Sequence, residues 1–332
     1  MNNIQYPVPK QEYKVLVRCA TYNQSKYIED ALNGFAMQQT NFPFVCLVMD
    51  DASTDGEQDV IKEWMERECD MSRAETIDIP SSVVIIVPHK TNESCTFAFY
   101  LLKQNLYKVQ KEKMRHVTPW REKCEYEALC EGDDYWIDPS KLQKQVDFME
   151  RNPDYGLCYG KASVYIQASG KYGPIMGKKG ESFNEILLYN YIPTLTTLYR
   201  TSLYKDYIRD ILPFEKNWMK GDYPLWLYIS TKAKVHFFDE VMCTYRQLSD
   251  SASHGDYRFM IKFVQDTYDI ALFFYNKYHP TIEIQTIHDT FNRYLLFHSF
   301  RNRDKRSVKL YYQKIQTKQF KDYIKMLLSI FF

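Results

Sequence analysis

From residue 14 to about residue 149, short apolar runs alternate with stretches whose apolar positions recur at helical spacing. Residues 15–19, 44–49, 83–87 and 126–130 predict strands. Residues 25–38 predict a helix with Ile28, Ala31, Leu32, Phe35 and Ala36 on one face, and 58–67 and 96–109 predict two more. Strands separated by helices imply βαβ units, hence an α/β fold with a mostly parallel, Rossmann-like sheet flanked by helices. After Pro153 the rhythm loosens. Residues 157–166 predict a strand, and Gly170, Gly173, Pro174, Gly177 and Gly180 punctuate a stretch that reads as a mobile loop. Strands at 195–199 and 241–246 flank helices at 202–211 and 223–231, and from about Asp256 onward the pattern is helical.

The 332 residues are 45% hydrophobic and 26% charged, enough to bury a substantial core. Lys and Arg total 43 against 42 Asp and Glu, a balance that gives no field for gathering nucleic acid. The eight cysteines contain no CxxC pair and several sit inside apolar runs, so reduced, buried thiols are expected. No basic segment followed by an apolar run opens the sequence, and no stretch approaches the roughly 18 apolar residues of a membrane span, which predicts a cytoplasmic location. Residues 304–332 carry seven basic side chains against Asp304 and Asp322 and end in Met-Leu-Leu-Ser-Ile-Phe-Phe. Such a tail either rests on an anionic membrane surface as a peripheral contact or packs its apolar face on the domain.

The chemistry collects where apolar runs stop. The run at 126–130 ends in Glu131-Gly132-Asp133-Asp134-Tyr135-Trp136. Paired carboxylates at a strand's carboxyl end are either an acidic turn before a helix, with Asp138 or Ser140 as cap, or hard oxygen ligands for Mg²⁺ or Mn²⁺ holding a diphosphate. The first strand runs into Ala20-Thr21-Tyr22-Asn23, where a side chain caps the next helix or Tyr22 lays its ring on a base. The second runs into Asp50-Asp51-Ala52-Ser53-Thr54-Asp55-Gly56, where Asp51 has the chemistry to accept a pyrimidine N–H. In Lys220-Gly221-Asp222-Tyr223-Pro224-Leu225-Trp226, Asp222 is either an N-cap or a fixed carboxylate that takes a proton from an attacking hydroxyl.

Taken in order, these segments resemble family 2 glycosyltransferases of the GT-A fold over most of residues 14–254. The resemblance implies an inverting transfer from a nucleotide-diphosphate sugar, most often a UDP-sugar, to a hydroxyl of a bacterial surface glycan or lipid-linked acceptor. It implies that Ala20, Thr21, Tyr22 and Asn23 line the nucleotide and that Asp51 accepts from the base. Asp133 falls near the ribose or sugar, Asp134 on the Mn²⁺ or Mg²⁺, and Asp222 as the general base. His254, in Ser251-Ala252-Ser253-His254, falls where such enzymes often place a further metal contact, and Arg246 and His89 are weaker candidates for the diphosphate. The implied organisation is a domain at 1–255, with a nucleotide-binding half at 14–150 and an acceptor-binding half at 151–255, followed by a helical extension at 256–332. The charged segment 108–123 departs from the family's pattern.

Two rivals use the same residues: a nucleotide-sugar binding protein without catalysis, and a metal-dependent hydrolase built on the carboxylates. A dinucleotide oxidoreductase is disfavoured because no GxGxxG follows any strand.

Overall fold

Each apolar run read as a strand before residue 130 is one. In the computed structural model, which describes residues 6–107, 109–180, 182–248 and 256–332, the strands are Tyr13–Thr21 (β1), Phe44–Asp50 (β2), Glu75–Ile79 (β3), Ser82–Pro88 (β4), Cys95–Leu102 (β5), Cys124–Leu129 (β6), Tyr135–Trp136 (β7), Tyr155–Ile166 (β8), Lys171–Tyr172 (β9), Leu198–Arg200 (β10) and Lys234–Gln247 (β11). The helices are Ile28–Ala36 (α1), Glu57–Glu68 (α2), Gln110–Arg121 (α3), Lys141–Arg151 (α4), Phe183–Leu188 (α5), Thr201–Ile211 (α6), Tyr223–Lys232 (α7), Tyr257–Tyr278 (α8), Ile284–Arg301 (α9), Lys305–Lys314 (α10) and Phe320–Leu328 (α11).

The strands form one mixed sheet in the order β3-β4-β5-β2-β1-β6-β10-β8-β11-β7, with β9 on β8. Its centre, β5-β2-β1-β6, is parallel. All seven residues of β2 are buried, as befits a central strand covered on both faces. One face packs Phe35, Trp64, Phe97 and Phe99 against α1 and α2. The other packs Leu47, Tyr100, Val117 and Trp120 under α3. Antiparallel pairs flank the parallel centre, β3 and β4 on one side and β10 on the other. Between β1 and β6, Glu127 accepts from Arg18 Nε at 2.8 Å and from Arg121 Nη2 at 2.9 Å. Burial alone would raise its pKa, but the two guanidinium charges outweigh burial and pull it down to about 2. All eight cysteines are buried free thiols.

The helix expected at 96–109 is instead β5, parallel to β2. Thr-Phe-Ala-Phe-Tyr-Leu-Leu is buried on both faces, so it carries no alternation that would separate strand from helix. The charged segment 108–123 supplies α3, and the glycine-punctuated stretch adds β9 and a bridge from Met176 to Ala162.

The chain divides into two compact units: 1–179, 192–214 and 233–247, which hold every strand, and 180–191, 215–232 and 248–332. The division therefore differs from a single cut at 255, because α5 and α7 belong with the C-terminal helices.

Candidate active site

In the sheet unit, β1, β2 and β6 deliver their carboxyl ends side by side. Asp51 N–H donates to Thr21 O at 3.0 Å and Gly132 N–H to Ala20 O at 3.2 Å. Gly132 is required by this approach, since a Cβ there would meet Thr21 and come within 2.6 Å of Gln24 Oε1. The loop after β1 is stitched to the loop after β2. Asn23, at φ 54°, donates its N–H to Ser53 Oγ at 2.9 Å and accepts from Thr54 N–H at 2.8 Å. Ser25 N–H donates to Asp55 at 3.0 Å, and buried Glu57 accepts from Gln24 N–H and Ser53 Oγ at 2.8 Å each, and from the Thr21 hydroxyl. Thr21 and Asn23 thus shape the loops rather than present free groups. Tyr22 is 45% exposed, so its ring is open to a stacking partner.

The acidic tetrad is graded. Glu131 is exposed, Asp133 half-buried and Asp134 buried. Burial raises the pKa of Asp133, opposed by hydrogen bonding and by the Arg246 charge. Burial raises that of Asp134 well above the usual carboxylate range, reinforced by the charges of Asp133 and Glu131 and opposed by Arg246. Two adjacent carboxylates held this way are a hard-oxygen donor set short of positive charge, which fits a divalent cation. Asp134 Oδ1 already accepts Arg246 N–H at 2.7 Å, so Asp133 is the more open of the pair. No group of three or more His, Cys, Asp or Glu side chains is placed to hold a metal among the described residues. A cation here would take its remaining ligands from substrate and water, as Mg²⁺ sites commonly do.

Arg246, a weaker candidate for the diphosphate, has its guanidinium engaged on the protein's own groups. Nε donates to Asp133 O at 2.9 Å, Nη1 to Gln167 Oε1 at 2.9 Å and Nη2 to Asp30. The rings of Tyr27, Tyr135 and Tyr165 surround it at 4.8, 5.1 and 5.9 Å. It is a clamp on the back of the acidic pair. His89 follows β4, whose end pairs with the start of β5, so it lies at the opposite edge of the sheet from these carboxyl ends. Its Nδ1 accepts from Asn92 N–H at 3.0 Å.

Asp51 is buried with both oxygens engaged, Oδ1 by Leu106 N–H at 2.7 Å and Oδ2 by Lys113 Nζ at 2.9 Å. Lys113 comes from the segment that had no sequence assignment. Only its charge marked it, because its partner lies 62 residues away. Glu57 and Gln24 were missed too: an acid in a helix's first turn reads as a response to the helix dipole.

Asp222 belongs to the helical unit, where it heads α7 and its carbonyl accepts Trp226 N–H at 3.0 Å. Tyr223 fixes the helix by donating its hydroxyl to Leu187 O at 2.9 Å. Lys220 lies over Phe263 at 3.7 Å; burial lowers its pKa, against the charges of Asp222 and Asp266. The carboxylate therefore has a cationic neighbour. His254 lies outside the described residues.

Residues 18–78 match the family described as Glycosyl transferase family 2. Uncharacterized proteins of Mycobacterium bovis and Mycobacterium tuberculosis are 29% identical over 247 residues, covering 73% of this chain and 61% of theirs. The chain thus spans under two thirds of those relatives. Among solved structures, S. aureus TarS 1–349 in complex with UDP-GlcNAc aligns at TM-score 0.50 and 16% identity, over 95% of this chain and 89% of that one. The mannosyltransferase PcManGT from Pyrobaculum calidifontis, in complex with GDP-Man and Mn²⁺, aligns at TM-score 0.51 and 13% identity, over 99% and 88%. At these identities the two structures establish a shared fold.

Proposed function

We propose, from the match of residues 18–78 to Glycosyl transferase family 2, that the chain moves one sugar from a nucleotide-diphosphate donor, a UDP-sugar, onto a hydroxyl of a glycan or lipid-linked acceptor, with inversion. The observation that carries this reading is the meeting of three strand ends, which gathers Tyr22, Asp51, Asp133 and Asp134 beside two stitched loops. Tyr22 stacks on the base. Asp51 and Lys113 together suit a pyrimidine edge, where a ring N–H lies next to a carbonyl: the carboxylate accepts and the ammonium donates. Asp134, with Asp133 beside it, would hold Mn²⁺ or Mg²⁺, which when bound neutralises the charge of the leaving diphosphate. Asp222 takes the acceptor's proton, a step worth roughly 10²- to 10⁴-fold. The setting that goes with a lipid-linked acceptor is the cytoplasmic side of a membrane, with the protein held peripherally; among the described residues no helix is long and apolar enough to cross one.

The test has two stages. A panel of nucleotide sugars is screened for thermal stabilisation with and without Mn²⁺, since a bound donor raises the melting point by mass action. A cation-dependent rise with one UDP-sugar is expected, and no rise with any donor would sink the reading. Asp222→Asn should then retain UDP affinity while transfer falls by at least about 10²-fold. Near-normal transfer would remove Asp222 from the role.

A further inference from the structure

Helix α11 is folded inside out. Its buried positions are Asp322, 1% exposed, and just beyond its end Ser329, 2% exposed, while Phe320, Leu327, Ile330 and Phe331 are 78%, 61%, 57% and 85% exposed. The cause is a polar anchor on α9. Asp322 accepts from Arg293 Nε at 3.1 Å and from Gln319 N–H at 2.9 Å. Asp289 accepts from Gln316 N–H at 2.8 Å and Thr317 N–H at 2.7 Å, fixing the turn that leads into α11. With its acid pinned inward, the helix turns its apolar side outward, beside exposed Lys321. An apolar face left in water is a docking surface in want of an occupant.

The charges name the occupant. Of the two acids in 304–332, Asp322 is committed to Arg293, and Asp304 caps α10 by accepting from Ser307 N–H at 3.0 Å. Lys305, Lys309, Lys314, Lys318, Lys321 and Lys325 meet no carboxylate among the described residues. The exposed face is therefore apolar side chains set among uncompensated lysines. A second copy of this chain docked on the same face would bring like charges together, whereas an anionic bilayer supplies both a low-dielectric interior and a counter-charge. We propose that Phe320, Leu327, Ile330 and Phe331 insert into the interface of an anionic lipid membrane, with the neighbouring lysines on its headgroups. The proposal requires nothing of the transfer chemistry.

The full chain is floated with vesicles of phosphatidylcholine alone and of an equal mixture of phosphatidylcholine and phosphatidylglycerol. Binding is expected only to the mixed vesicles, weakening as salt rises. Phe320→Ser/Leu327→Ser/Phe331→Ser alters exposed positions and should abolish flotation while leaving the melting temperature unchanged. Lys318→Gln/Lys321→Gln/Lys325→Gln should lower partitioning on the order of 100-fold, near fivefold per lysine. Flotation of either variant equal to wild type overturns the proposal, as does failure of the wild type to float. So does a wild-type dimer in sedimentation equilibrium that the apolar triple variant dissolves, since a second copy would then own the face. The donor screen is independent of every one of these outcomes.

Discussion

Replacing Arg246 separates the two roles its position allows, clamp or diphosphate contact. In Arg246→Met the aliphatic stem is kept and the guanidinium lost. Two neutral acceptors, Asp133 O and Gln167 Oε1, each lose a hydrogen bond worth about 1 kcal/mol. The pair with Asp30, whose side chain is 53% exposed, counts for no more than about 1 kcal/mol because water replaces it. Three ring contacts add about 0.5 kcal/mol or more each. The contributions share one group and do not add fully, which leaves about 3 kcal/mol. For a unit of this size that lowers the melting point by roughly 6–12 °C. The main-chain N–H to Asp134 survives the substitution, so Mn²⁺-dependent UDP affinity, measured by calorimetry well below the melting point, should change only severalfold. Arg246→Lys keeps the charge but not the fork and should recover little of the loss. Arg246 is a diphosphate contact and not a clamp if Arg246→Met melts with the wild type while UDP affinity falls about 10- to 100-fold, the cost of losing a charged hydrogen bond to a ligand.

The acidic pair makes a pH prediction with a definite sign. Burial first, then mutual repulsion, raises the pKa of Asp134 in the folded state, so without cation its contribution to stability is fully present below the unfolded value of 3.8 and is lost as pH rises through the raised folded value. Saturating Mn²⁺ should remove that dependence, and Asp134→Asn should flatten the cation-free profile; a cation-free profile that Asp134→Asn leaves unchanged would contradict the assignment. Glu127 has the opposite sign. Its pKa is pulled from 4.5 to about 2, so its contribution is complete above the unfolded value and disappears as pH drops through the window between them, read from urea midpoints. Glu127→Gln leaves Arg18 and Arg121 without their counter-charge and should cost about 3–5 kcal/mol at neutral pH; a loss below about 1 kcal/mol would refute the pairing.

The parallel centre was legible because β1 and β2 are apolar runs that stop abruptly at polar strand ends, and those stops form the candidate site. What could not be read has a common physical origin. β5 is buried on both faces, and an apolar run without alternation does not declare its period. Lys113 and Arg246 act across 62 and 113 residues of chain, so their partners follow from topology rather than from spacing. The amphipathic pattern of 320–328 was visible, but not which side faces in, because that is decided by Arg293 on another helix. Thr21 and Asn23 could be read as the residues that follow the first strand, but not their hydrogen bonds, which close the two loops on each other.

That closure bears on how a nucleotide would be received. Glu57 draws Thr21, Gln24 and Ser53 to one carboxylate, so the loops after β1 and β2 have one shared set of conformations rather than two independent ones. Ordering a free residue costs about 1–2 kcal/mol, and several would otherwise have to be immobilised on each binding event. Here the ordering accompanies folding. On the proposed reading the two loops form a preset cradle for the donor, and a change that loosens Glu57 would weaken its capture.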